Sequence, residues 1–137
     1  MGRLAVTAYL LDTSAFLWLV TMPAKMSDPA REALADQTND LAVSAASCWE
    51  IAIKTRLGRF DGTPVLSSWT ETLETMNVTD LSIDSADAAM AGQLAWDHRD
   101  PFDRMIVAQA ARRGLTVATS DQRVLDGART PVLDTRR

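Results

Sequence analysis

The sequence predicts an α/β fold built on a parallel sheet of five strands. Short runs of aliphatic and β-branched residues alternate with longer segments in which apolar residues recur every three or four positions, a pattern typical of strands alternating with helices. Asp-Pro, Thr-Pro and Gly, which often begin or end helices, separate the segments. The predicted strands are residues 8–11, 40–44, 78–83, 115–119 and 130–133.

The order of the strands follows from the handedness of their connections. Right-handed crossovers leave few arrangements, and a chain that runs outward to strand three and then returns across strand one has the order 3-2-1-4-5. Ligands of such sheets bind beyond the carboxyl ends of the strands where the winding reverses, here between strands one and four. Asp12 follows strand one and Asp121 follows strand four, so we expect both acids at that crevice.

The helices are predicted from apolar spacing and capping residues. Asp28 is expected as an N-cap, Ser47 and Glu50 as a capping box, and Glu50 with Lys54 as an ion pair one turn apart. The predicted helices are residues 15–20, one opened by Asp28-Pro29, 47–57, one started by Thr63-Pro64, one from Asp84 to Trp96, and one from Asp100-Pro101 to Gly114.

Composition limits the class of protein. At 137 residues and 47% hydrophobic, the chain is expected to form one domain over residues 1–137. It has no apolar run of membrane-spanning length and no secretory leader pattern, so we expect a cytoplasmic protein without a membrane segment. A net charge of −4 argues against a generally basic surface for nucleic acid. Cys48 is the lone cysteine and is interpreted as a small buried hydrophobe.

Four acids carry the functional signal: Asp12, Glu50, Asp103 and Asp121. Each also has a structural interpretation, since Asp12 and Asp121 can cap helices, Glu50 fits the capping box, and Asp103 can stabilise the first turn opened by Asp100. Together, in a chain with a single His, they indicate a hard divalent cation held by oxygen ligands and metal-assisted hydrolysis of a phosphodiester. That single histidine, His98, is expected to be a solvated loop residue, and the four Trp are expected in the core.

Three stretches resemble the PIN-domain ribonucleases and, within them, the VapC-type toxins of toxin-antitoxin pairs. They are residues 10–18, 44–54 and 98–110, followed by Thr119-Ser120-Asp121, so that the resemblance covers about residues 8–126. It implies a three-layer α/β/α fold and a catalytic quartet of Asp12, Glu50, Asp103 and Asp121, with Asp12 and Asp103 as the most direct metal ligands. Ser14 stands where close relatives often have His, which bears on substrate preference.

The resemblance further implies an Mg²⁺- or Mn²⁺-dependent endoribonuclease that acts on RNA, binds a VapB-type antitoxin and forms a homodimer. Lys54 and Arg104 are candidate phosphate contacts. Two alternatives remain: a catalytically inactive PIN-like binding module, and a phosphoaspartyl-type phosphatase. The phosphatase needs a second acid two residues after Asp12, where this chain has Ser14, and the presence of all four acids favours an enzyme over an inactive module.

Overall fold

A computed structural model describes residues 6–137. Its five strands form one all-parallel sheet in the order β3-β2-β1-β4-β5, which confirms the predicted fold class and strand order. The strands are β1 Ala8–Leu11, β2 Asp40–Ser44, β3 Val78–Leu81, β4 Thr116–Thr119 and β5 Val132–Asp134.

Three strands differ from their predicted bounds, and the smallest difference is that β4 begins at Thr116 rather than residue 115. β3 ends at Leu81 rather than residue 83, because Leu81 pairs with Ser44 and β2 ends there. β5 begins at Val132 rather than residue 130; the carbonyl of Pro131 accepts from Val117 N at 2.9 Å, but proline has no N–H with which to extend the ladder.

Eight helices lie between or beside these strands in the described range, together with a 3₁₀ turn at Pro23–Lys25. They are α1 Thr13–Thr21, α2 Asp28–Ala35, α3 Ala45–Arg56, α4 Thr63–Ser67, α5 Trp69–Met76, α6 Ser85–Gln93, α7 Pro101–Arg113 and α8 Gln122–Gly127.

Two predicted caps are wrong. Ser27, not Asp28, caps α2, because its hydroxyl accepts from Ala30 N at 3.3 Å. Ser44, not Ser47, caps α3, since its hydroxyl accepts from Ala46 N at 3.0 Å. α3 therefore begins directly at the end of β2. The segment started by Thr63-Pro64 forms two helices, and the helix capped by Asp84 ends at Gln93, short of Trp96.

The core has two apolar layers, one on each face of the sheet. Leu10 and Leu11 of β1 are both fully buried, and neighbouring side chains of a strand point to opposite faces. Leu11 packs with Phe16 and Ile51 in one cluster, whereas Leu10 packs with Ile106 of α7 in the other. The helices thus cover both faces, as the three-layer prediction requires.

This arrangement brings the ends of β1 and β4 together. Leu11 pairs with Ala118, and Asp12 N donates to the Ala118 carbonyl at 3.0 Å. Asp12 thus begins α1 beside the last residues of β4. Between residues 6 and 137, no helix combines the length and the apolar character needed to cross a membrane.

Candidate metal-binding active site

Asp12 is a buried carboxylate at the start of α1. Its side chain is 5% exposed, and Oδ1 accepts from Ala15 N at 2.8 Å. The predicted capping interpretation is therefore correct, but it accounts for one oxygen only. Burial raises the pKa of Asp12 to about 7, an effect that Asp103 and Asp121 reinforce by repulsion and that hydrogen bonds from Thr119 and Ala15 oppose. Within residues 6–137, Asp12 makes no ion pair with Lys or Arg.

Asp103 lies in the first turn of α7, which Asp100 caps as predicted by accepting from Phe102 N at 2.9 Å and Asp103 N at 3.3 Å. Its Oδ2 lies 2.7 Å from Nε2 of His98. Burial raises the pKa of Asp103 to about 6, and the His98 contact opposes this rise. Asp100 is thus a helix cap, and Asp103 is the acid that enters the pocket.

His98 is buried, contrary to the expectation of a solvated loop residue. It is 6% exposed, and its ring packs against that of Trp96 with centroids 4.8 Å apart. No local pattern predicts this burial, since His98 follows Asp97 and precedes Arg99 in a segment without helix or strand periodicity. Its partner Asp103 is five residues away, across the start of α7.

Asp121 completes a compact group. Ligand atoms of His98, Asp103 and Asp121 all lie within 4.8 Å of one another. Asp121 also caps α8, as predicted, by accepting from Arg123 N at 2.9 Å. Its own N–H donates to Thr119 Oγ1 at 3.0 Å, so the buried Thr119, which also hydrogen-bonds Asp12, connects two of the acids.

Glu50 approaches the pocket from α3. It is 6% exposed, the Thr13 hydroxyl donates to its Oε1 at 2.5 Å, and Lys54 Nζ pairs with its Oε2. The predicted ion pair with Lys54 is confirmed. Thr13 thus links the start of α1 to Glu50, and its hydroxyl also lies 2.9 Å from Ser47 Oγ. Glu50 is therefore coupled to the pocket through Thr13 and, like Asp12, lies outside the group of His98, Asp103 and Asp121.

The pocket contains more negative charge than the protein balances. Asp12, Asp103 and Asp121 repel one another, and the cations in reach are Arg123, whose Nε lies 3.7 Å from Asp121 Oδ1, and His98 when protonated. The carboxylate oxygens of Asp12, Asp103 and Asp121 form a donor set that fits Mg²⁺ or Mn²⁺. The residues present thus suit a divalent cation.

Two further expectations need correction. The guanidinium of Arg104 does not face the pocket; it donates to backbone carbonyls of residues 91–98, so it is not available as a phosphate contact. Trp49 is 61% exposed and packs edge-on against Phe102 at 5.4 Å, whereas Trp69 is buried as expected. Cys48 is half-buried against the core.

The comparisons with known proteins agree with this geometry. The family model for the PIN domain matches residues 9–129, which is most of the chain. The chain therefore belongs to the PIN-domain family.

Within that family it is a VapC-type member. It is similar to ribonuclease VapC22 of Mycobacterium tuberculosis (strain ATCC 25618 / H37Rv), with 30% identity over 120 residues that cover 87% of this chain and 91% of the relative.

Solved structures show the same fold. One is VapBC2 from Rickettsia felis bound to a promoter DNA fragment, with a TM-score of 0.69 and 13% identity over 94% of this chain and 99% of that chain. Another is VapBC-5 from Mycobacterium tuberculosis, of the VapBC family of toxin-antitoxin systems, with a TM-score of 0.56 and 22% identity over 96% of this chain and 99% of that chain.

Proposed function

We propose that this protein is a metal-dependent endoribonuclease that hydrolyses RNA phosphodiesters and acts as the toxin of a toxin-antitoxin pair. The observation that carries the proposal is the unbalanced charge of the pocket. The buried carboxylate of Asp12 and the partly buried carboxylate of Asp103 have raised pKa values beside a third acid, Asp121. A divalent cation would balance this charge and can activate a water for phosphodiester hydrolysis.

Asp12 and Asp103 would hold Mg²⁺ or Mn²⁺ most directly, with Asp121 and Glu50 completing the site or contacting the ion through water. When bound, the ion lowers the pKa of a water and offsets the charge that develops on the phosphate. Asp12 contributes its free oxygen, because Oδ1 caps α1. Thr13 and Lys54 fix the Glu50 carboxylate from two sides. Burial of the acids excludes bulk water, which strengthens each of these electrostatic interactions.

The RNA strand would approach along a cleft of about 490 Å³ beside the pocket. Its lining includes His98, which contacts Asp103, and Arg123, which contacts Asp121. Arg99 also lines it and makes no hydrogen bond or ion pair inside residues 6–137, so its guanidinium is free to bind a phosphate. The remaining lining residues are Trp96, Asp97, Asp126 and Gly127.

The toxin assignment extends the proposal to partners. It is supported by the 30% identity to ribonuclease VapC22 and by the fold shared with proteins solved in VapBC assemblies. The proposal includes a VapB-type antitoxin, a homodimer, action in the cytoplasm, and a single PIN domain spanning residues 1–137. Co-expression of the adjacent small gene should relieve growth inhibition caused by this chain alone.

Cleavage of a mixed RNA substrate by the purified protein, with chelator or with added Mg²⁺ or Mn²⁺, tests the proposal. Loss of a residue that hydrogen-bonds a metal ligand typically lowers metal affinity or activity roughly 10–100-fold. Asp12→Asn and Asp103→Asn change a proposed ligand itself, so each should lower the metal-dependent cleavage rate by about 100-fold or more. Asp100→Asn is the matched control, since Asn caps a helix nearly as well as Asp.

Full activity of either Asp12→Asn or Asp103→Asn would contradict the assignment. Cleavage that persists in chelator would point to metal-independent chemistry. Folded wild-type protein that binds the metals but cleaves no RNA would instead favour the inactive-module alternative.

A further inference from the structure

The segment that carries His98 is held in place by hydrogen bonds from α7, the helix that follows it. Arg104 donates through Nε to the Ala91 carbonyl at 2.9 Å and through Nη1 to the carbonyls of Trp96 and His98 at 2.6 and 3.1 Å. Its Nη2 reaches the Leu94 carbonyl at 2.9 Å and the Gly92 carbonyl at 3.5 Å. The end of α6 and the loop after it are therefore anchored to α7, one residue beyond Asp103.

The His98 ring is held on two sides. The Trp96 ring packs against the His98 ring with centroids 4.8 Å apart. The backbone carbonyl of His98 is one of those bound by Arg104. The ring's hydrogen bond goes to Asp103 Oδ2 at 2.7 Å. Since the ring is buried and its loop is fixed, this hydrogen bond has a set direction rather than following a mobile side chain.

A carboxylate that binds a cation works best when its second oxygen has a partner of its own. With Asp103 ionised, the His98 N–H donates to Oδ2, which leaves Oδ1 for the ion and prevents rotation about the Cβ–Cγ bond. Partners of this kind typically set metal affinity by about 10–100-fold.

We propose that His98, supported by Trp96 and Arg104, is a positioning residue that orients Asp103 for the divalent cation and does not itself bind the ion. The inference rests on the proposed function, since it takes the ion to lie at Asp103. In this arrangement the nitrogen that faces the pocket carries the donated proton and has no lone pair for the metal. The sequence motif around Asp103 thus contains both a ligand and the residue that aims it.

Mn²⁺ binding to the purified full chain, measured by calorimetry and by electron paramagnetic resonance, tests this role. His98→Leu removes the donor and should weaken Mn²⁺ binding by about 10–100-fold, while saturating Mn²⁺ should recover most of the cleavage rate. His98→Gln places an amide N–H within reach of Oδ2 and should restore most of the affinity. Asp40→Asn is the matched control, because Asp40 is exposed at the start of β2, at the opposite end of that strand from the pocket, and its Mn²⁺ affinity should be unchanged.

A second readout separates positioning from ligation. His98 is the single histidine of the chain, so with untagged protein a ¹⁴N coupling of directly bound imidazole to Mn²⁺ can come from no other histidine. We expect none. A directly bound ¹⁴N signal, or His98→Leu protein that binds Mn²⁺ as tightly as the wild type, would overturn the inference.

Two more outcomes complete the design. If His98→Gln binds as weakly as His98→Leu while its metal-free melting temperature is native, donation to Asp103 is not the reason and the inference fails. If the wild type binds Mn²⁺ and cleaves RNA but His98→Leu shows no defect, this inference alone fails. If the wild type neither binds Mn²⁺ nor cleaves RNA, the proposed function fails first.

Discussion

Asp12 and Asp87 are both buried carboxylates, but the protein surrounds them differently. Burial alone would raise the pKa of Asp87, which is 0% exposed, yet hydrogen bonds from Arg113, Asp84 N, Gln109 and Arg112 hold it well below its usual range. Arg113 Nη2 and Gln109 Nε2 lie 2.8 and 3.1 Å from Asp87 Oδ2. Between residues 6 and 137, Asp12 has no Lys or Arg partner, and its pKa is raised to about 7.

The difference shows which buried acid is structural. Asp87 belongs to the capping box of α6 and joins that helix to the end of α7, where Arg112 and Arg113 lie. Its charge is balanced within the chain. Within residues 6–137, Asp12 and Asp103 have no Lys or Arg partner, so that a proton or a bound cation is left to neutralise them. Burial by itself does not distinguish the two kinds of acid; the presence of a permanent cation partner does.

The largest expected effect is on stability, with opposite signs at the two acids. Asp87→Asn leaves two arginines without their carboxylate and should lower the free energy of unfolding by about 3 kcal/mol, toward the low end for a broken buried pair because both arginines are partly exposed. Asp12→Asn should raise the stability of the metal-free protein at pH 8, since it removes a buried charge and its repulsions. Urea unfolding in chelator measures both. A change of stability in the same direction for both variants would contradict the comparison.

The pH dependence of stability comes next in size. A carboxyl whose pKa is raised on folding contributes stability that is present in acid and is lost as the pH rises through the folded pKa. The pH range over which this stability is lost runs from the ordinary pKa of 3.8 to about 7 for Asp12 and to about 6 for Asp103. We therefore expect the chelated protein to lose a few kcal/mol between pH 4 and 7.

Thermal or urea unfolding across that range in chelator checks this trend. Asp12→Asn should flatten the fall, because it removes the wider of the two pH ranges. Asp87 changes stability in the opposite sense. Its pKa is depressed, so its contribution to the free energy of unfolding is lost only in strong acid, as the pH falls below the usual Asp range. A wild-type stability that rises from pH 4 to 7 without metal would show that the pocket acids are not destabilised by burial.

The smallest expected effect concerns the two arginines of the cleft. If Arg99 and Arg123 bind RNA phosphates, replacing each by Gln should reduce the slope of log affinity against log salt by about 0.7. Arg31→Gln on α2, which is ion-paired with Asp28 outside the cleft, is the control and should leave the slope unchanged. Single-stranded RNA binding by Asp12→Asn protein, which should not cleave the probe, gives the measurement.

Sequence reasoning located the pocket because its acids follow elements with clear local signals. Asp12 comes directly after β1, Asp121 lies two residues after the end of β4, and Asp103 lies three residues after the Asp100 cap. The sheet order then placed the first two in one crevice. These features depend on near neighbours in the chain and on the handedness of connections, and the structure agrees with both.

What the sequence did not predict depends on contacts between distant residues. The Asp87 cluster joins residues 22 to 26 positions apart, and the Thr13–Glu50 hydrogen bond spans 37. Arg104 was expected to contact a phosphate because its positive charge can be read from the sequence. Which backbone carbonyls lie within its reach depends on the folded structure and cannot be read from the sequence. Ser47 was expected as a cap because Glu50 follows it by three, but β2 runs directly into α3 and the first available hydroxyl is that of Ser44.

The Arg104 anchor has a consequence for how this protein can change in evolution. All five of its acceptors are backbone carbonyls, a group that every amino acid supplies. Side chains at the end of α6 and in the loop can therefore be exchanged without removing a single acceptor, provided that the length of the segment is kept. Arg104 itself has no such freedom, since no other side chain offers five donors in one plane. Apart from Trp96 and His98, the loop is thus free to diverge in sequence while Arg104 preserves its shape.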